Sequence, residues 1–138
     1  MGQSSTRTII IKKKYIIKKY KEDKLFLNER DFYLNISKYN LEFIPKLFCF
    51  NNKNRILIIE NVGKNINKKI LRKNINIIKI LEDKLVSLGY YHNDMRLKNI
   101  LLNKESNKIY IIDFEKTSDD FTDFQYGGYR QNIYSFTD

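Results

Sequence analysis

Apolar residues along this chain fall into two spacings. Arg7 to Tyr20, RTIIIKKKYIIKKY, holds two β-branched runs separated by three lysines, which predicts a hairpin of two strands. From Glu22 to Ser37 the period changes: Leu25, Glu29, Phe32 and Ile36 share one helical face, so an amphipathic helix follows, with the charged Glu29 on its apolar side. Pro45 then precedes KLFCF, the polar turn NNKN and RILIIE, a second hairpin whose poor alternation predicts buried strands. NVGKN, Asn61 to Asn65, reads as a linker. From Ile75 onward, Ile78, Leu81, Leu85 and Leu88 recur at three and four, and Gly89 stands where a helix C-cap is expected. NILL, the turn NKESNK and KIYIIDF make a third hairpin reaching Phe114. The order is ββαββ, linker, α, loop, ββ, an α+β arrangement without internal repeats. The tail from Glu115 to Asp138, polar and aromatic with Gly127 and Gly128, has room for no more than one small helix.

At 138 residues the expectation is one compact unit that buries roughly two thirds of its unfolded surface. A composition of 42% hydrophobic and 30% charged residues is globular rather than disordered, and no apolar run approaches the ~20 residues that cross a bilayer. Met1 to Thr8 lacks the apolar core of a secretion signal, and a lone cysteine, Cys49, cannot make an internal disulfide. An intracellular, cytoplasmic location is therefore expected, with Cys49 as a small buried hydrophobe. The formal charge of +10 would favour nucleic acid, phosphate-rich ligands or an anionic membrane. A plainer account competes: Ile, Lys and Asn recur together throughout, as an AT-rich genome would produce, and many lysines are then solvated filler.

The richest chemistry lies between Tyr90 and Thr117, YYHNDMRLKNILLNKESNKIYIIDFEKT, which holds the one histidine. Asp94 lies in the loop before the hairpin, Asn99 opens its first strand and Asp113 closes the second, so antiparallel pairing brings Asn99 and Asp113 together. Converging carboxylate and amide oxygens suit a hard cation such as Mg²⁺, whereas zinc would want cysteines or several histidines. Phosphoryl transfer uses such a metal with a carboxylate that orients the attacking hydroxyl and cations that hold the phosphates.

HNDMRLKN has the form H-x-D-x-x-x-x-N, and IIDFE follows a short hairpin later. This resembles the catalytic loop and metal-binding D-F-G segment of the protein kinase-like superfamily. The resemblance implies a minimal two-lobed fold, with a small antiparallel sheet and one helix in an N-lobe (1–61), a linker (62–65) and a reduced helical C-lobe (66–138) carrying the catalytic hairpin. It implies Asp94 as the catalytic base, Asn99 and Asp113 as Mg²⁺ ligands, and Arg96 as the cation touching the transferred phosphate. His92 is implied to be structural, bonded to backbone near the D-F segment. YIIKKY stands where kinases carry V-A-I-K, making Lys18 the candidate for the α- and β-phosphates, with Lys19 as fallback because neighbours on a strand face opposite ways. Glu29 suits the ion-pair partner of that lysine; its plainer reading is a partly solvated helix-edge glutamate. Glu60 and Val62 fall where the family bonds adenine through backbone groups.

The chain departs from the family pattern in several places. No G-x-G-x-x-G is present, although MGQSST could bring Gly2 and small hydroxyl residues near phosphates. The same residues fit an N-myristoylation signal, the one route by which a membrane partner is expected. HND lacks the Arg that couples many kinases to activation-loop phosphorylation. DFE places Glu115 where the family has Gly, either adding a carboxylate near the metal or facing the surface. RIO-type kinases and choline- or aminoglycoside-kinase-like relatives share parts of this pattern. The short tail would leave a helix face exposed, which predicts a homodimer or partner protein. The leading expectation is an ATP- and Mg²⁺-dependent phosphotransferase acting on Ser or Thr hydroxyls of a protein substrate. Its rivals are a nucleotide-binding pseudokinase scaffold and a basic RNA-associated subunit, the latter supported by the interleaved KKKYIIKKYK.

Overall fold

A computed structural model describes residues 6–119 and 133–136. Gly2 and its lipidation motif, and Gly127 and Gly128, lie outside the described residues.

The strands β1 (Arg7–Ile11) and β2 (Tyr15–Tyr20) form the first hairpin, helix α1 spans Asp23–Ile36, and β3 (Leu47–Asn51) and β4 (Ile56–Glu60) form the second hairpin. These strands make one antiparallel sheet in the order β1-β2-β4-β3. The β4 strand is central, and its Leu57 and Ile59 are buried because one sheet face packs on α1. That helix contributes Phe26, Glu29, Phe32, Tyr33 and Ile36 to the interior. Leu25, expected on the buried face, is only half-buried, whereas its neighbour Phe26 and, two turns on, Tyr33 are buried.

The second hairpin corrects two expectations. As the sheet's edge, β3 has Phe48, Cys49, Phe50 and Asn51 exposed, and Cys49 is a solvent-facing thiol rather than a core residue. Poor alternation in LFCF therefore marks an edge strand with two wet faces, while the same feature in ILIIE marks a central one.

Lys64 and Asn65, at the end of the linker stretch, form β5 (Lys64–Asn65) and pair with Leu102 and Leu101. Gly63 just before them passes so near β6 that an added Cβ would sit 2.4 Å from the Leu102 carbonyl oxygen. Helix α2 (Lys68–Ser87) starts two turns before Ile75, capped by the Asn67 side chain, which accepts from the Ile70 N–H at 2.9 Å. Its lysine-rich first turns hide the one inward residue there, Leu71. Gly89, at φ 95°, ends the helix in a left-handed conformation that costs a glycine little. The loop that carries His92 and Asp94 leads through a 3₁₀ turn at Leu97–Asn99 into β6 (Ile100–Asn103) and β7 (Lys108–Ile111), which complete a second sheet in the order β5-β6-β7.

One hydrophobic core joins Phe26, Phe32 and Ile59, at α1 and the first sheet, to Leu71, Ile78, Leu85, Met95, Ile100 and Ile111. From the tail, a 3₁₀ turn at Ile133–Phe136 docks on α2: Ile133 is fully buried, its N–H donates to the Met95 carbonyl at 3.1 Å, and the Tyr134 hydroxyl bonds Glu82. That turn covers part of the helix face the short tail was expected to leave bare, and Ile77 and Ile80 remain exposed. Among the described residues no helix is long and apolar enough to cross a membrane.

Candidate active site

The hairpin β1-β2 places its side chains by register. Arg7 lies opposite Tyr20 and Ile9 opposite Lys18, so all four project from one face, which turns toward α1 and the segment after β7. Lys18 is buried on that face while its neighbour Lys19 is exposed. The Lys18 ammonium donates to Glu29 at 2.5 Å and to Asp113 at 2.9 Å. Glu29 is wholly buried and makes two further bonds: the Tyr20 hydroxyl donates to its Oε1, and its Oε2 accepts from the Phe114 backbone N–H at 2.7 Å, which ties α1 to the D-F segment.

Phe114 locks the same segment from its other side. Its ring stacks on Phe32 at 4.1 Å and meets His92 edge-on at 5.0 Å. Asn28 on α1 donates to the carbonyls of Glu115 and Thr117 at 2.7 and 2.9 Å. Asp113 itself sits at φ 73°, a left-handed conformation that Asp tolerates better than most residues and that a tightly packed surrounding must hold in place.

Glu115 is buried and faces the site. The Arg7 guanidinium donates through Nη1 to both Glu115 oxygens at 2.9 Å and through Nη2 to Asp113 Oδ2 at 2.9 Å. Three acids, Glu29, Asp113 and Glu115, thus surround two bases, Arg7 and Lys18. Burial works against the Asp113 charge, but Lys18 and Arg7 outweigh it and hold that carboxyl far below the usual carboxylate range. Burial and the charge of Asp113 push Glu115 the other way, up, despite Lys18 and Arg7. Burial opposes the charge on Lys18 too, and Asp113 and Glu29 more than restore it. The two adjacent carboxyls are thus driven apart, Asp113 toward its charged form and Glu115 away from it.

At the foot of the β6-β7 hairpin the second cluster is more open. Asn99 and Asp113 flank the paired strands, and the Ile112 N–H donates to the Asn99 carbonyl at 3.0 Å. The Asn99 amide nitrogen donates to the Asp94 carbonyl at 2.8 Å, an arrangement that leaves the amide oxygen out of that bond. Asp94 pairs with Arg96, Nε to Oδ1 at 2.7 Å, and lies 3.9 Å from the Lys116 ammonium. Burial would raise the Asp94 carboxyl, yet the Arg96 hydrogen bond and the charges of Lys116 and Arg96 keep it below its ordinary value.

His92 bonds the Ile112 carbonyl through Nε2 at 2.8 Å and accepts the Asp94 N–H on Nδ1 at 3.1 Å. That assigns the proton to Nε2. Burial lowers its pKa below the ordinary histidine value even though the Ile112 bond and nearby carboxylates raise it. The ring is a neutral brace between the Asp94 loop and the D-F segment. Asn93, where many kinases carry Arg, adopts φ 67° and donates to the Lys116 carbonyl and the Ser118 hydroxyl at 3.0 and 2.7 Å. With the paired backbones of Tyr91 and Ser118, it fastens the loop directly to the segment after Glu115.

Glu60 and Val62 stand at the junction of the two sheets. Glu60 accepts from the Lys46 N–H at 3.1 Å through its side chain, and the buried Val62 has its carbonyl taken by Asn103 at 2.9 Å. They are not part of either charged cluster. Arg7, Tyr20 and Lys116, in contrast, belong to the clusters without having been singled out from sequence. The register of the first hairpin carries the missing signal for two of them: with Lys18 facing inward, the pairing across the KKK turn puts Tyr20 and Arg7 on the same side.

The donor set fits a hard divalent cation. Carboxylate oxygens of Glu29, Asp113 and Glu115 lie within 4.8 Å of one another, and the amide oxygen of Asn99 is a further hard, though neutral, oxygen donor.

A sequence profile of the lipopolysaccharide kinase (Kdo/WaaP) family matches residues 59–124, from the end of β4 through both flanks of the catalytic hairpin. No curated protein sequence matches the chain. Among solved structures, the Cydia pomonella granulovirus kinase PK-1 superposes with a TM-score of 0.58 at 22% identity, over 78% of this chain and 44% of that one. The chain thus spans less than half the length of that kinase. Two antiparallel sheets, a helix bearing Glu29 against the Lys18 strand and a hairpin bearing Asn99 and Asp113 give the chain the fold of the protein kinase-like superfamily.

Proposed function

We propose that the chain is an ATP- and Mg²⁺-dependent phosphotransferase acting on a Ser or Thr hydroxyl of a protein. The observation that carries this reading is the Lys18 ammonium bridging Glu29 and Asp113, above a hairpin whose foot joins Asp94 to Asn99. Lys18 would hold the α- and β-phosphates, kept charged and aimed by its two acids. Asp113 and Asn99 would hold the magnesium ion, and the chemistry such an ion supplies is neutralisation of charge on the transferring phosphate. Asp94 would orient the acceptor hydroxyl and take its proton. In a loose phosphoryl-transfer transition state orientation matters more than base strength, so a carboxyl held below its ordinary pKa serves. Arg96, paired with Asp94, would meet the phosphate as it moves. With the Val62 carbonyl engaged by Asn103, the Val62 N–H is the backbone group offered to adenine, beside Glu60.

A second acceptor class has its own support: the matching profile is that of a lipopolysaccharide kinase family, which supports a sugar hydroxyl as acceptor. Transfer of radiolabel from [γ-³²P]ATP to protein and to lipid-linked sugar acceptors separates the two. Label that persists undiminished in both Asp94→Asn and Asp113→Ala would remove the phosphotransferase reading. Stabilisation by ATP with Mg²⁺ but no label on any acceptor would leave a nucleotide-binding scaffold instead.

A further inference from the structure

Arg7 does something that the recognised motif residues do not. It opens β1, and its two terminal nitrogens reach different acids: Nη1 holds both oxygens of Glu115, and Nη2 holds Asp113 Oδ2. Lys18 occupies the other Asp113 oxygen. Each oxygen of the carboxylate expected to bind metal therefore already carries a cation. A magnesium ligand must approach to about 2.0–2.1 Å, and a guanidinium nitrogen 2.9 Å from the same oxygen opposes a second, doubly charged ion there by direct repulsion. Arg7 and a metal ion on Asp113 Oδ2 therefore weaken one another.

Glu115 decides where Arg7 goes when it yields. Because Nη1 grips Glu115 independently of Asp113, Nη2 can change partner while the guanidinium stays anchored. Planar guanidinium nitrogens suit phosphate oxygens as well as carboxylates, and the site proposed above brings both a metal for Asp113 and phosphates for a displaced cation.

We propose that Arg7 is an exchangeable counter-ion: it seals Asp113 and Glu115 together in the nucleotide-free protein and moves its Nη2 from Asp113 to a phosphate oxygen when metal and nucleotide enter. Glu115 is the anchor of that exchange, a positioning residue acting through Arg7, and β1 thereby contributes a phosphate clamp. The inference rests on the phosphotransferase reading for the identity of the phosphate donor.

Calorimetric titration of the whole chain tests it, with Mn²⁺ alone and then with a non-hydrolysable ATP analogue plus Mg²⁺. Arg7→Met is expected to bind Mn²⁺ about tenfold more tightly, since its competitor is gone, and the analogue about tenfold more weakly, since a charge-assisted hydrogen bond is lost. Glu115→Gln is expected to weaken the analogue in the same direction. Arg7→Lys keeps the charge without the two-nitrogen bridge, so it gives the same signs at smaller size and serves if Arg7→Met does not fold. Mn²⁺ affinity unchanged or reduced in both Arg7 variants, with the analogue still bound by the parent protein, would overturn the exchange. A parent protein that binds Mn²⁺ but no analogue would instead remove the phosphotransferase reading and the phosphate half of the exchange with it.

Discussion

The two charged clusters of this molecule are built from the same residue types and differ in how far water reaches them. Around Lys18 the side chains are almost fully enclosed, with 6% exposure for Lys18, none for Glu29 and 7% for Asp113. Around Asp94 the carboxylate is enclosed but its cations are not, at 30% for Arg96 and 23% for Lys116. A closed network has its charges matched in advance and loses much when one is taken away; a half-open one can exchange partners at little cost. The first is suited to setting the geometry between α1, the sheet and the D-F segment, and the second to meeting an acceptor from solvent.

The sharpest way to break that contrast is to remove one charge from each side. Lys18→Met leaves three buried acids facing Arg7 alone, and a loss of about 3–5 kcal/mol in stability is expected by urea denaturation. A loss below about 1 kcal/mol would show that water enters the first cluster as it does the second. Asp94→Asn should reverse the balance, with phosphoryl transfer down by about 10²–10⁴ and little change in the denaturation midpoint.

His92 sharpens the comparison through pH. Its folded pKa lies below the unfolded value of about 6.5, so between those two values the unfolded chain binds the extra proton. Stability conferred by the neutral ring is thus complete above pH 6.5 and declines as pH falls toward the folded pKa, with a slope of at most about 1.4 kcal/mol per pH unit. His92→Gln should flatten melting temperature against pH in that range; an unchanged profile would mean that the ring does not remain neutral. The smallest effect belongs to the open cluster: Arg96→Ala is expected to cost less than about 1 kcal/mol in stability, as for a partly exposed ion pair, measured by the same denaturation.

Strand hairpins, both helices and the Asp94, Asn99 and Asp113 spacing were legible because they are local patterns. What escaped was set by tertiary position. LFCF and ILIIE look alike as strings, and only sheet order makes β3 an edge with Cys49 in solvent while β4 is buried. Arg7 reads as one more basic residue in a chain of net charge +10, and its pairing partners lie more than a hundred positions away. Glu115 fits either a surface or a site position from sequence alone, and only Arg7 opposite it places it in the site. The first turns of α2 were masked by Lys68, Lys69, Arg72 and Lys73 around a single inward Leu71.

The junction between the sheets has a mechanical consequence. Asn61 is tied back to the first hairpin through the Lys12 and Lys14 carbonyls, and Lys64 is already woven into the second sheet, with Gly63 wedged against β6 between them. The backbone is therefore pinned on both sides of Val62 and Gly63, and even an alanine in place of Gly63 would press its Cβ against the Leu102 carbonyl and lever β6 away from the junction.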